Sequence, residues 1–483
     1  MSVKCCNNLT HCSLSFVKPQ RTWRIKILHT SDWHLGQNFF TKSRKDEHQA
    51  FLDWLLNVIQ VQKIDAVIVA GDIFDTGTPP SYARQMYNQF VVELSKLTCT
   101  LVVLGGNHDS VSTLNESKQL LACLHTHVIA NTTDILQQQV IELTDASGRV
   151  GAILCAIPFI RPRDVLQSRA GETSEDKKLA LSDAIKAHYA SIFQLAVERR
   201  NQLVDCGNGN AAHIPIIATG HLTALGVSQS ESVREIYIGT LDGFAADGFP
   251  PADYIALGHI HRPQMVAKSE HIRYSGSPIP LSFDELKSQK QVVIVEFDQQ
   301  GQRSIAPLDI PMFQPMAMLK GDLDSIKAQL TAFPLLTEIT STETTSSGDD
   351  DAIASQFDAP VDGPVDVKTD DANKPLVPTS VKPTWLCIHV DVQDYLSDLQ
   401  QSIQTLTEGR NVEVLQLRRT RTRASQGLNQ VNNETLAELT PFDVFEKRLT
   451  LENFEGEQEQ QRLTKIRHTF SEIVEEVRQQ EAK

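Results

Sequence analysis

The sequence predicts an α/β fold: a two-sheet α/β sandwich, then a small α+β domain and a helical C-terminal tail. In the first hundred residues, short apolar runs alternate with stretches of helical periodicity, which favours a mostly parallel sheet covered by helices. The later apolar runs lack helices between them. They indicate a second, more antiparallel sheet packed on the first.

The elements of the first half follow from these periods. Apolar residues at helical spacing, among them Phe51, Leu55 and Val58, predict the first helix. The polar turn from Asp145 to Gly148 predicts a hairpin between two apolar runs. The expected strands span 25–30, 66–70, 100–104, 139–143 and 150–156, and the expected helices span 47–60, 82–97 and 178–199.

The second half continues with strands ending at His221, around Ile236, and over 254–257, 272–274 and 291–297. A new pattern of elements begins near Pro311. It predicts a small α+β domain with strands over 385–390 and 412–417 and helices over 322–330 and 392–406. The expected organisation is a disordered leader (1–23), the sandwich domain (24–308), the small domain (309–425) with a disordered acidic insertion (340–380), a linker (426–440) and a helical tail (441–483).

The charge of the chain is unevenly distributed. Lys and Arg number 45 against 60 Asp and Glu, for a net charge of −15. Nine acids and a single lysine lie within 341–372, so this part of the acidic insertion carries more than half of the net charge. The remainder is mildly acidic and is compatible with a basic face for nucleic acid.

The eight cysteines are scattered without a disulfide framework, and no apolar run reaches the length of a membrane span. We therefore expect a cytoplasmic protein. Cys5, Cys6, His11 and Cys12 fit no standard zinc spacing, and a disordered leader is the favoured interpretation of this segment.

Polar residues that suit metal ions follow five apolar runs. His259 and His261 stand two apart at a strand end, so their side chains point the same way. Alone, such a pair is as plausibly two surface histidines. Four further strand ends carry Asp32 and His34, Asp72, Asn107 and His108, and His221. Ligand sites of α/β sheets lie outside these ends, so we expect a metal centre there.

The series DWH, GDIFD, GGNHD, GH and GHIH resembles the calcineurin-like metallophosphoesterases. The longer stretches ILHTSDWHLGQNF, AGDIFDTGTPPSYAR, ALGHIHRPQ and RYSGSPIPLSFDE resemble the SbcD family, the nuclease subunits of bacterial SbcCD complexes. The resemblance spans roughly residues 25–417 without the acidic insertion, which, like the leader, departs from the family pattern.

The resemblance implies two divalent metal ions, Mn²⁺ by family, whereas the residues alone also permit Zn²⁺ or Fe. It implies one metal on Asp32, His34 and His261, the other on Asn107, His221 and His259, and Asp72 bridging the two. It also implies that His108 faces the scissile phosphate as a catalytic residue. Asp75 is a further catalytic candidate that orients His108; capping of the next turn is its alternative role.

The family implies hydrolysis of DNA phosphodiesters in repair, recombination and replication: an ATP-dependent 3′→5′ double-strand exonuclease and a single-strand or hairpin endonuclease. The implied partner is an SbcC-type ABC ATPase, with this chain as a homodimer in a heterotetramer. The chain has no GxxxxGK[ST] loop, so ATP dependence requires another subunit. A phosphatase, a cyclic-nucleotide phosphodiesterase and a DNA-end tethering scaffold are the alternatives.

Two further features suggest contacts with partners. Four arginines, Arg418, Arg419, Arg421 and Arg423, follow the last predicted strand; they are either a solvated strand end or a contact to DNA phosphates. In the tail, apolar residues at helical spacing (Leu463, Ile466, Phe470, Ile473, Val474, Val477) indicate a helix that packs on its own chain or docks on the ATPase partner.

Overall fold

A computed structural model describes residues 25–166, 173–205, 214–234, 243–298, 301, 303–335, 382–391, 399–420 and eight positions of the tail: 445, 449, 463, 465–467, 469 and 470. The chain divides into two compact units, Met1–Thr420 and Arg421–Lys483. In the second unit, the rings of Phe445 and Phe470 stack with 3.7 Å between their centroids.

The described strands are β1 (Ile25–Thr30), β2 (Asn38–Phe39), β3 (Lys42–Ser43), β4 (Ala66–Val69), β5 (Thr100–Leu104), β6 (Thr126–Ile129), β7 (Val140–Thr144), β8 (Val150–Cys155), β9 (Ile216–His221), β10 (Tyr254–Gly258), β11 (Gln264–Val266), β12 (Ser269–Tyr274), β13 (Gln291–Phe297), β14 (Arg303–Asp309), β15 (Met316–Gly321), β16 (Thr384–Asp391) and β17 (Val412–Thr420). The described helices are α1 (Lys45–Gln62), α2 (Ser81–Ser95), α3 (Val111–Asn115), α4 (Lys118–Ala122), α5 (Pro162–Val165), α6 (Ser174–Asp205), α7 (Leu323–Leu330) and α8 (Leu399–Thr407).

Two six-stranded sheets form the larger part of the first unit. The first has the order β14-β13-β1-β4-β5-β6, and the second has the order β11-β12-β10-β9-β8-β7. The expectation of a more antiparallel second sheet was wrong, since each sheet has three parallel and two antiparallel pairs. The long helix α6 and the connection after His221 supply the crossovers that parallel pairing requires.

The two sheets pack face to face with helices outside them. Ile27 and Ile68 from the first sheet share a core with Leu154 and Ala256 from the second. The opposite face of the first sheet packs on α1 and α2, and the opposite face of the second packs on α6. Strands buried on both faces are apolar throughout, which explains why continuous apolar runs marked them in the sequence.

The small domain is a parallel three-stranded sheet, β15-β16-β17, packed on α7 and α8. It contacts the sandwich through a cluster that contains Phe39, Phe283, Met316, Trp385 and Cys387. The rings of Phe39 and Trp385 stack with 5.9 Å between their centroids. The expected strands and helices of this domain are present where the structure describes them, with the start of the helix over 392–406 outside that part.

Several expectations lie outside the described residues: the leader with its Cys5–Cys12 cluster, the strand around Ile236, the acidic insertion, the linker, Arg421, Arg423 and most of the tail. The strands β2, β3, β6, β11, β14 and β15 were not predicted. Within the described part of the chain, no helix is both long and apolar enough to cross a membrane.

Candidate metal centre

The sequence-predicted ligands meet at one edge of the two sheets. Adjacent strands β1, β4 and β5 of the first sheet lead to Asp32 and His34, to Asp72, and to Asn107. Adjacent strands β9 and β10 of the second sheet lead to His221 and to the pair His259 and His261. The carboxyl ends of parallel strands share an edge, and this places residues more than two hundred positions apart side by side.

The loops after β1 and β4 run alongside each other. The N–H groups of Asp32 and His34 donate to the carbonyl oxygens of Gly71 and Asp72, each at 3.0 Å. Asp32, His34 and Asp72 adopt left-handed backbone with φ between 48° and 54°, and His259 has φ 94°. Such conformations are uncommon outside glycine and are tolerated best by Asn, Asp and His. They direct these polar side chains into the centre.

Asp72 lies at the middle of the site. Its Oδ2 is 3.2 Å from Nε2 of His221 and 3.6 Å from Nε2 of His34, so one oxygen faces both expected metal positions. Its Oδ1 accepts from the N–H of His108 at 2.9 Å. This placement is what a bridging carboxylate requires.

One group of candidate ligands lies beside Asp72, and a second group includes it. Potential ligand atoms lie within 4.8 Å of one another in the group Asp32, His34 and His261 and in the group Asp72, His221 and His259. A third group, His34, Asp72 and His108, meets the same limit, so distance alone does not separate His108 from the ligands.

Hydrogen bonds fix which nitrogen each histidine presents. His221 donates from Nδ1 to the carbonyl oxygen of Ala70 at 2.9 Å, which leaves Nε2 facing Asp72. Asn107 joins this group, since its Oδ1 is 2.9 Å from Nε2 of His221 and 3.1 Å from Nδ1 of His259. Such partners set the tautomer and direction of a metal-binding imidazole.

Buried atoms without partners test whether this donor set fits a metal. Among the described residues, the Nε2 atoms of His34 and His259 are buried and have no hydrogen-bond partner. Unpaired buried polar atoms are costly unless a ligand satisfies them. Nitrogen donors mixed with carboxylate and amide oxygens suit Mn²⁺, Fe or Zn²⁺, so the residues fit divalent metal ions.

The electrostatics of the centre favour anionic Asp72 and neutral His259. Burial opposes ionisation of Asp72, but the adjacent His221 and His34 outweigh it and hold the pKa of Asp72 well below its ordinary value. Burial also disfavours charge on His221, yet Asp72 raises the pKa of His221 to about 9. Burial and the neighbouring His221 keep the pKa of His259 well below its usual range. A neutral imidazole is the form that binds metal.

His108 and Asp75 contact each other differently from the expected arrangement. Nδ1 of His108 donates to the backbone carbonyl of Asp75 at 2.7 Å, whereas the Asp75 carboxylate contacts Nδ1 of His34 at 3.2 Å. The backbone of Asp75 thus orients His108, and its side chain orients His34. Sequence alone does not distinguish these roles, because they depend on which way one side chain turns.

Sequence analysis missed the residues that hold His261. Oγ of Ser232 lies 2.6 Å from Nδ1 of His261 and donates to the carboxylate of Glu285. Glu285 in turn pairs with Lys290, and Nζ of Lys290 donates to the carbonyl oxygen of His261 at 2.9 Å. Glu285 ends the RYSGSPIPLSFDE stretch, so the resemblance marked its position, but nothing in the sequence marked Ser232.

Asp109 joins the two loops that follow β4 and β5. Its buried carboxylate accepts from the N–H groups of Ile73, Phe74 and Gly106 at 3.1, 3.0 and 2.9 Å. Gly106 is required here, because a Cβ at this position would lie 2.1 Å from Oδ1 of Asp72. The loops after β4 and β5 are therefore joined beside Asp72.

The arginines after the last strand are only partly described. Arg418 binds Glu231 with both terminal nitrogens, at 3.1 and 2.9 Å. Arg419 is exposed on β17, and Arg421 and Arg423 lie outside the described residues. None of the metal-centre contacts above involves these arginines.

Two family models match the chain. The calcineurin-like phosphoesterase model matches residues 25–263, which contain every expected ligand, and the model described as the type 5 capsule protein repressor C-terminal domain matches residues 361–453. Among solved structures, a dimetal phosphatase from Danio rerio aligns with 59% of this chain and 98% of its own at 12% identity, with a TM-score of 0.30, too low to support an argument.

Named relatives cover most of the chain. The SbcD subunit of the nuclease SbcCD from Escherichia coli (strain K12) is 46% identical over 451 residues, which are 92% of this chain and 97% of that protein. The protein of the same name from Rhodobacter capsulatus is 33% identical over 61% of this chain and 71% of its own length. The chain belongs to the SbcD family of nuclease subunits, within the calcineurin-like phosphoesterases.

Proposed function

We propose that this chain is the nuclease subunit of an SbcCD-type complex and hydrolyses DNA phosphodiesters. The observation that carries the proposal is the position of Asp72 between two groups of buried ligands, with His108 beside them. The 46% identity to a named nuclease subunit over 92% of the chain supports DNA as the substrate and an SbcC-type ABC ATPase as the partner.

One divalent metal would be held by Asp32, His34 and His261, and the other by Asn107, His221 and His259. Asp72 would bind both. We propose Mn²⁺ for these positions. When bound, two such ions supply a nucleophile at neutral pH and neutralise charge that develops on the phosphate. The protein's part is to keep the donors close together and correctly turned, which the hydrogen bonds to Ala70 and Ser232 do for His221 and His261.

His108 is the proposed catalytic residue that contacts the scissile phosphate. Its Nδ1–H is held by the carbonyl of Asp75, so Nε2 is the nitrogen left to stabilise the phosphate or move a proton to the leaving oxygen. Burial lowers the pKa of His108, partly offset by Asp72. Asp75 would assist in two ways: its backbone carbonyl orients His108, and its carboxylate orients His34.

The finer activity is a 3′→5′ double-strand exonuclease that depends on the partner's ATP, together with endonuclease cleavage of hairpins and single strands. We propose a homodimer of this chain within a heterotetramer. The tail over 441–483 would dock on the ATPase, after the linker 426–440, and the small domain over 309–425 would contact DNA. Four arginines, Arg418, Arg419, Arg421 and Arg423, are proposed to meet DNA phosphates, and Arg418 would have to release Glu231 to do so.

The test is cleavage of an end-labelled duplex and a hairpin with Mn²⁺, with and without the SbcC-type partner and ATP. His108→Gln serves as the inactive variant. Stepwise shortening that needs partner and ATP and disappears in the variant is the expected result. Hydrolysis of a small diester with DNA untouched in every condition would instead indicate a phosphodiesterase of the same superfamily.

A further inference from the structure

The 228–234 loop lies between the small domain and the metal centre. On one side, the carboxylate of Glu231 binds Arg418 of β17 through two hydrogen bonds of 3.1 and 2.9 Å. Glu231 comes from the sandwich and Arg418 from the small domain, so this bidentate pair connects the two. A planar guanidinium paired in this way fixes direction as well as distance.

The same loop reaches a metal ligand on its other side. Ser232, one residue after Glu231, has its Oγ 2.6 Å from Nδ1 of His261. Ser230, one residue before, donates to Glu285 at 2.9 Å, and Ser232 donates to the same carboxylate. Glu231 thus faces the small domain, whereas both serines reach Glu285 beside the centre.

The pair is too exposed to matter much for stability. The Glu231 and Arg418 side chains are 56% and 43% exposed, and ion pairs of that exposure stabilise a fold very little. The start of the loop has its own attachment, because Gln264 bonds both the N–H and the carbonyl of Ser228 at 2.9 and 2.8 Å. The later half is held to the sandwich by the N–H of Glu231 on Asp284 and by Ser230 on Glu285, and among the described contacts the Glu231 side chain joins it to the small domain.

We propose that Arg418 and Glu231 are positioning residues, which set Ser232 and thereby the orientation of His261 toward its metal. The inference rests on the proposed function of this site. Strand β17 ends at Thr420, and the proposed docking tail follows it in the chain. A displacement of β17 would thus reach a metal ligand in three steps: the side-chain contact of Arg418 with Glu231, the backbone from Glu231 to Ser232, and the side-chain contact of Ser232 with His261.

The experiment uses the full-length chain and the variants Glu231→Arg, Arg418→Glu and the double charge swap. A matched control exists on the same strand: Lys42 of β3 pairs with Glu413 of β17, at 35% and 39% exposure, and the described contacts of that pair do not include the 228–234 loop. Lys42→Glu and Glu413→Lys each break an equivalent contact elsewhere, and their swap restores it with the charges exchanged. Unfolding curves followed by circular dichroism check that each variant folds.

The primary readout is Mn²⁺ affinity without DNA, measured by titration calorimetry, because this separates positioning from any DNA contact of Arg418. Hydrolysis of bis(p-nitrophenyl) phosphate at limiting Mn²⁺ is the second readout. We expect each single variant to bind one of the two ions about tenfold more weakly. A loss of this size is near the lower end of the range known for residues that support a metal ligand. The charge swap should recover most of the loss, and the Lys42 and Glu413 variants should bind as the wild type does.

Three outcomes would overturn the inference: wild-type affinity in both single variants, an equal loss in the control pair, or a loss that the swap does not recover. DNA cleavage by the unmodified protein reports separately on the proposed function. A wild type that cleaves DNA while the pair variants bind Mn²⁺ normally would remove the positioning role and leave the nuclease intact.

Discussion

Glu285 and Lys290 form an ion pair beneath His261, with 2.6 Å between Oε2 and Nζ and both side chains almost fully buried. Burial opposes charge on both, and it lowers the pKa of Lys290. For Glu285, attraction to Lys290 and His261 overcomes burial and holds the pKa well below its ordinary value. The pair connects the start of β13 to the support of a metal ligand.

Lys290→Met should destabilise the fold by about 3–5 kcal/mol, because it leaves the Glu285 carboxylate buried without its cation. Urea unfolding followed by circular dichroism measures this change. Lys96→Met is the matched control: Lys96 pairs with Glu93 on the surface, at 62% and 35% exposure. Its loss should cost about 1 kcal/mol or less. Equal effects of the two substitutions would contradict the structural role of Lys290.

Asp72→Ala should remove metal from both positions, since its Oδ2 faces both ligand groups. Elemental analysis after dialysis against Mn²⁺ measures the metal content per chain. Asp53→Ala, on the exposed face of α1, is the control and should keep the wild-type content. Retention of two ions by the Asp72 variant would refute a bridging role.

His108→Gln should keep its metals and lose turnover by about 10²–10⁴-fold, the usual contribution of a positioned proton donor or acceptor. Metal content and cleavage of labelled DNA are measured on the same preparation. A variant with near-normal turnover would exclude His108 as the catalytic residue. Loss of metal together with activity would instead identify it as a ligand, as the group with His34 and Asp72 allows.

Asp75→Asn should weaken metal binding by about tenfold, because the carboxylate supports His34, while the backbone contact to His108 remains. The loss of activity should therefore be recovered at high Mn²⁺. Titration of the cleavage rate against Mn²⁺ distinguishes this from a loss of turnover at saturation. A defect that persists at saturating metal would restore the sequence-based expectation that Asp75 acts on His108.

Asp109→Asn should destabilise the protein by about 1–3 kcal/mol. The carboxylate accepts three backbone N–H groups, two on Oδ2 and one on Oδ1, and an amide can accept on only one side. The substitution would turn an NH₂ group toward an N–H donor. Thermal unfolding of the metal-free protein measures the effect, and an unchanged midpoint would show that these loops do not depend on Asp109.

The sequence predicted most of the centre because each ligand follows a strand. A buried strand is a local pattern, and Asp32, Asp72, Asn107, His221 and His259 all stand within a few residues of one. Once the strands pair in parallel, their ends meet whatever the distance along the chain. The split of ligands between two metals is implied by the family and stays a prediction.

What the sequence did not predict depends on contacts between distant segments. Ser232 is twenty-nine residues from His261, in a loop without periodicity, and Glu285 reaches His261 only through the folded chain. The strand β14 was missed because its side chains are largely exposed on an edge, so no apolar run marks it. The number of parallel pairs in the second sheet likewise depends on crossovers that apolar runs do not reveal.

The left-handed backbone at Asp32, His34, Asp72 and His259 affects which sequences can occupy this site. In a saturation mutagenesis library, a residue at each of these positions must meet two requirements: it must supply a metal donor, and it must accept a positive φ. β-Branched residues fail the second requirement even in a protein that needs no metal. Asparagine passes it most easily, so an inactive but well-folded protein is most readily obtained through Asn at Asp32 or Asp72. Such a variant would hold substrate for crystallography without collapse of the loops.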